Sequence, residues 1–241
     1  MNLLSRFFSQ TERNPLPEDF DELLAALAKQ RSRIANAEHI SKIRLELLQS
    51  GVAAGQGVTF ADASGPSLVT AELSPSDARK LAKSGIGEFR SEVNTIIKKV
   101  EGRLDEVAER DVSASVAELL AIMAGTDENK AAVREAAGYF MIERLGSKAG
   151  TSVESALGHA DANIRFQAAH VLRFLHSDRA VDHLILALKD PDADVRAMVT
   201  HALALQKNKK AVAALLDSAE HDLSPEVRAT ARAAADALQE T

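Results

Sequence analysis

The chain has 241 residues, a net charge of −6, 46% hydrophobic residues and no cysteine. That length supports one large domain or two modest ones, and the missing cysteine excludes disulfides, thiolate metal ligands and cysteine nucleophiles. Eight Phe, one Tyr and no Trp among abundant Ala, Leu, Glu and Arg favour close-packed helices over sheets, and no run of about 18 apolar residues would cross a membrane. A cysteine-free chain suits a reducing cytosol, so a cytoplasmic location is expected.

Residues 1–16 carry a short apolar patch, Leu3, Leu4, Phe7 and Phe8, broken by Arg6. The patch lacks the continuous apolar stretch and cleavage site of a signal peptide and reads as a flexible terminus. Residues 17–49 read as one or two helices that end near Gly51. Glycines then cluster over 51–65, and GVTFADASGPSLVTAEL, residues 57–73, alternates imperfectly around Ser64-Gly65-Pro66. A small β-hairpin and an ordered loop both fit that pattern. Ser74-Pro75 opens the next helix. From there Ile86, Phe89, Val93, Ile96, Val100, Leu104 and Val107 recur at steps of mostly three and four. This is a seam for another helix, about 33 Å long. It packs either on the helices of 17–49 or on a second copy, as a homodimer through 86–107. Residues 17–111 thus form a mostly helical N-terminal module.

Residues 112–241 are periodic. Val133-Arg134, Ile164-Arg165, Val195-Arg196 and Val227-Arg228 recur at intervals of 31, 31 and 32. Four residues on come Ala137, Ala168, Val199 and Ala231; eight on come Met141, Leu172, Leu203 and Ala235. Twenty on come Val153, Leu184 and Leu215. Steps of four inside each unit are helical, so each unit reads as two helices joined by a turn. Asp190-Pro191 stops one helix, and Asp192 can cap the next. Val116, Leu119, Leu120 and Met123 supply the first helix of the Val133 unit. The count is then four units, enough for a self-standing stack.

The stretches LALKDPDADVRAMVTHALA, LGHADANIRFQAAHVLRFL and LSPEVRATARAAADAL resemble the HEAT repeat, in the form found in the PBS-lyase HEAT-like family. The resemblance covers roughly 112–241 and implies an all-α fold: an α-solenoid of about four HEAT-like repeats behind the N-terminal module. It also implies that Arg134, Arg165, Arg196 and Arg228 pair with acids in a neighbouring turn, from the set that includes Asp161, Asp190, Asp192 and Asp194. Asp161 and Asp192 join the arginines in the expected ladder, since bidentate pairing suits Arg. In such arrays the second helix of each unit lines the concave face. Core columns lie at zero, four, eight and eleven, so columns two, six and nine point away from the core. These columns and their neighbour place Tyr139, Ile142, Phe166, His170, Arg173, Phe174 and His201 on one surface, the expected partner-binding patch.

Other chemistries find little support. The seven histidines form no HxxxH or HExxH pair, and His170 and His201, one helix spacing apart, stand too far apart to share a zinc ion unaided. No metal or cofactor is expected. There is no His-Glu dipeptide of the kind that deoxyhypusine hydroxylases use to hold iron. Nor is there a nucleophile elbow or phosphate loop, and no catalytic residue is assigned. Residues 111–241 carry 14 basic and 19 acidic groups, which argues against nucleic acid. The expected function is protein–protein interaction, as adaptor, regulator or assembly factor. The alternative, from the repeat style, is a bilin-lyase-like enzyme or chromophore chaperone.

Overall fold

A computed structural model describes residues 16–17, 19–49 and 73–240, all helix, turn or coil, with no strand among them. The expected flexible terminus, apart from Leu16, and the hairpin-or-loop of 57–73, apart from Leu73, lie outside the described residues. The helices are α1 (Phe20–Gln49), α2 (Pro75–Arg110), α3 (Val112–Ala124), α4 (Ala131–Tyr139), α5 (Gly150–Ala156), α6 (Ala162–Leu172), α7 (Asp178–Ala187), α8 (Ala193–Gln206), α9 (Val212–His221) and α10 (Pro225–Glu240). No helix among the described residues is long and apolar enough to cross a membrane.

The chain forms two compact units. One contains 25–103; the other joins 17–24 to the chain from Leu104 onward. The division therefore falls inside α1 and α2, not at residue 111. The α2 pattern runs unbroken across the division, which hides it from a reading of periodicity.

In the first unit Ala37, Phe89 and Val93 form a buried cluster, with Ile34, Leu73, Leu81, Ile86 and Ile97 packed around it. Phe89 and Val93 of the seam are thus covered by α1 of the same chain. Arg33 braces this packing. Its Nε donates to Asp77 Oδ2 at 3.1 Å and its Nη2 to Oδ1 at 2.7 Å, while the guanidinium lies 5.7 Å from the Phe89 ring centre. Ser74 accepts the Asp77 N–H at 3.1 Å and so caps α2, with Pro75 at the first helical position.

Gly85 interrupts α2 with φ 77 and ψ 173, so that one helix ends at Ser84 and another begins at Ile86. Only glycine adopts this conformation readily.

The second unit is the α-solenoid. Its described residues form four helix pairs, α3/α4, α5/α6, α7/α8 and α9/α10, with α6 against α8 and α8 against α10. Columns four, eight and twenty are fully buried at every position, from Ala137 and Met141 to Ala231 and Ala235. Column zero is buried at Val195 and Val227 but only half-buried at Val133 and Ile164. Alanine at column four lets neighbouring second helices approach closely, and the leucines and methionine of column eight fill the space beyond. Past Tyr139, α4 widens into a π turn over Phe140–Leu145, whose Phe140, Met141 and Leu145 are buried. Residues 17–24 join this unit at its first pair: Lys130 bonds Asp21 at 2.6 Å. Burial, together with the nearby charges of Asp19 and Asp21, raises the pKa of Glu118 on α3.

The Gly85 backbone is directly testable. A Cβ there meets no neighbour, so Gly85→Ala isolates conformational strain from crowding. It is expected to destabilise the chain by about 1–3 kcal/mol. Chemical denaturation checks this, and an unchanged midpoint would mean that the bend tolerates a side chain.

Candidate functional site

The second helices of the last three pairs begin with an acid or hydroxyl cap. Asp161 Oδ1 accepts from the N–H of Asn163 at 2.8 Å, and Asp192 Oδ1 from Asp194 at 2.9 Å and Val195 at 3.2 Å. Ser224 Oγ accepts from Val227 at 3.4 Å. These residues hold the turn in which the column arginines sit.

The arginines then act in two directions. Arg165 Nη1 donates to the carbonyls of His159 and Ala160 at 2.9 and 3.0 Å, clamping its own turn. Its Nε and Nη2 donate to Asp190 Oδ2 and Oδ1 at 2.7 and 2.8 Å, one repeat further on. Arg196 repeats the arrangement. Nη1 takes the carbonyls of Asp190 and Pro191, and Nε and Nη2 take Asp222 at 2.8 and 2.9 Å. The ladder acids are therefore Asp190 and Asp222. Asp161 and Asp192, expected in that role, cap helices instead, because they stand two residues closer to the helix start. Asp222 lies outside the set drawn from the sequence.

Both end arginines lack the second partner. Arg228 donates to the carbonyls of Asp222 and Leu223, at 2.7 and 3.3 Å, and Arg134 to that of Asp127. His159 stands 31 residues before Asp190, in the same column, and its Nδ1 accepts the Asp161 N–H at 3.0 Å as Asp190 accepts that of Asp192. A histidine there keeps the turn but brings no carboxylate to Arg134.

The two bidentate pairs are nearly dry. Side-chain exposure is 11% and 5% for Arg165 and Asp190, and 11% and 6% for Arg196 and Asp222. Burial pushes the Asp190 carboxyl up, but its bonds to Arg165 and to the Asp192 N–H outweigh this and leave the pKa below 3.8. Asp222 is lowered chiefly by its bond to Arg196, and Asp77 by its bond to Arg33.

The expected partner face is only partly assembled. His170, Arg173 and Phe174 stand together at the end of α6. The rings of His170 and Phe174 meet edge to face at 6.0 Å, and the Arg173 guanidinium carbon lies 5.4 Å from the Phe174 ring centre. Phe174 is 46% exposed and His201 is exposed. Burial, aided by the Arg173 charge, lowers the pKa of His170. Tyr139, Ile142 and Phe166 are half-buried.

Two other polar features were not anticipated. Glu154 on α5 is buried, with Arg179 Nε 2.9 Å from Oε2 and His183 Nδ1 4.0 Å away, while Ser177 Oγ reaches Oε1 at 3.4 Å. A cleft of about 500 Å3 in the first unit is bordered by Lys29, Arg33, Ser74, Ser76 and Asp77, where Arg33 and Asp77 neutralise each other. Among the described residues no three His, Asp or Glu side chains converge as metal ligands.

A family model described as HEAT repeats matches residues 151–236. This segment is similar to HEAT repeats. The match runs from α5 to α10 and contains both bidentate pairs; α3 and α4 precede it. No curated protein matches the chain.

Two predictions follow from the ladder. Asp222→Ala leaves the buried Arg196 charge without its carboxylate and is expected to cost roughly 3–5 kcal/mol. Arg228→Ala removes carbonyl bonds only and is expected to cost about 0.5–1.5 kcal/mol. Urea denaturation of both variants measures the contrast, and equal losses would remove the ladder from its structural role. The pH dependence has a fixed sign. A carboxyl whose folded pKa is lowered contributes stability above its unfolded value, near 3.8, and loses it as pH falls through the folded value. Thermal stability should fall steeply below about pH 4, and Asp222→Asn should flatten that limb.

Proposed function

We propose that the repeat unit binds another protein along the face of its second helices, as an adaptor, regulator or assembly factor. The observation that carries this reading is the end of α6. A half-exposed Phe174 is stacked under Arg173 and against His170 on an otherwise rigid array. Aromatic and Arg side chains held in place by the scaffold lose little freedom on binding and are favoured at hot spots. A solenoid offers such side chains in fixed register over several helices, which suits a helix or an extended segment of a partner.

The bilin-lyase-like alternative rests on the style of the repeat and gains no observation of its own from the fold. A homodimer through 86–107 would have to use the outer side of α2, since Phe89 and Val93 are covered by α1.

The test uses Phe174→Ser combined with His201→Glu, both at exposed positions. The double variant should keep the wild-type circular dichroism. Affinity purification of tagged wild type from its native host is expected to enrich a protein that the variant does not retain. Recovery of the same protein by both, or of none by either, overturns the reading.

A further inference from the structure

The second helices of the middle repeats show a charge pattern that the acidic total conceals. No acidic residue occurs between Asp161 and Asp178, or between Asp194 and Asp217. The same stretches carry Arg165, His170, Arg173 and His176, then Arg196, His201, Lys207, Lys209 and Lys210. Arg165 and Arg196 are used by the ladder, and Lys210 pairs with Asp182. Among the described residues Arg173 has no carboxylate partner, and its Nε is buried without a hydrogen bond. A buried N–H of this kind is costly unless something accepts from it. His176, Lys207 and Lys209 are exposed.

Apolar groups stand beside these cations. Phe174 and Leu205 lie ten residues after Ile164 and Val195, so they occupy one column on neighbouring second helices. They are 46% and 40% exposed. The packing joins them: Gln206 Nε2, next to Leu205, donates to the carbonyls of Leu172 and Leu175, which bracket Arg173 and Phe174. His176 and Lys207 share the column two residues further on.

Resting on the protein-binding reading above, we propose that the ends of α6 and α8 dock an acidic peptide segment of a partner protein, whose carboxylate meets Arg173 and whose neighbouring apolar side chain covers Phe174 and Leu205. The guanidinium fork pairs with a carboxylate through two parallel bonds, which gives such a segment a fixed orientation beside Phe174. A peptide fits better than a nucleic acid. Two exposed apolar side chains form the centre of the surface, and the acidic remainder of residues 111–241 repels a polyanion.

The test is selection of random peptides displayed on phage against the full chain. Enriched peptides are expected to carry Asp or Glu close to Leu, Ile or Phe. A synthetic copy of the best should bind, and its affinity should fall about tenfold or more in Arg173→Glu. Because Arg173 is half-buried, Lys207→Glu serves as a second, exposed variant and should weaken the same peptide and increase its salt sensitivity. Enriched peptides without an acidic excess that still depend on Phe174 would overturn this proposal and leave the protein-binding reading standing. Acidic peptides that bind both folded variants as well as wild type would overturn it too. So would no enrichment at all, in which case the affinity purification decides the broader reading separately. Tighter, Arg173-dependent binding of a labelled single-stranded oligonucleotide than of any selected peptide would assign the cations to nucleic acid instead.

Discussion

The repeat unit depends on one side chain doing two things at once. Each inner column arginine clamps the carbonyls of its own turn and reaches one repeat onward to a buried carboxylate. The first action sets the entry angle of a second helix. The second fixes the spacing to the next helix pair. A hydrophobic interface alone is non-directional and would allow neighbouring pairs to slide. Two charged groups with almost no exposure to water do not allow it, since any slip strands a buried charge. Packing supplies the attraction between repeats, and the ladder supplies the register.

The ends of the array follow from the same arrangement. Among the described residues Arg228 bonds carbonyls only, on a helix whose residues Arg232, Asp236 and Glu240 are exposed. Arg134 meets a histidine column position in the next turn. The first two pairs meet instead through α3, which packs on both α5 and α6. The array is thus tied by charge in its second half and by packing in its first. The family match at 151–236 falls on the part where the ladder is complete.

What the sequence revealed depended on how local each feature is. Columns four, eight and twenty were legible because a residue's burial in a helix follows its own phase, whatever its neighbours do. The pairing of Arg165 with Asp190 was not, because it spans 25 residues and a turn that offers three aspartates within five positions. Only the fold separates the aspartate that pairs from the ones that cap. Asp222 stood in a turn of different spelling and drew no attention. The bend at Gly85, with φ 77, is not written in any periodicity. The partner face was half legible. Helical phase put Phe166, His170 and Arg173 on one side, but the tightest cluster formed at Phe174, beyond the last residue of α6, where phase no longer applies.

The charge pattern also narrows what can dock. The repeat half is acidic overall, so a densely acidic partner is repelled as it comes within the Debye length, about 8 Å at physiological salt. At contact Arg173 and Lys207 offer local positive charge, while Asp178 and Asp182 are held nearby by Asn208 and Lys210. The two ranges together favour a segment with few acids, well placed, over one with many. The apolar column beside Arg173 acts in the same direction. Phe174 and Leu205 reward a buried side chain next to the carboxylate, and a continuous acidic run has none to offer. Selectivity on this surface would then come from spacing rather than from total charge, and spacing is the quantity that the arginine ladder holds constant between neighbouring repeats.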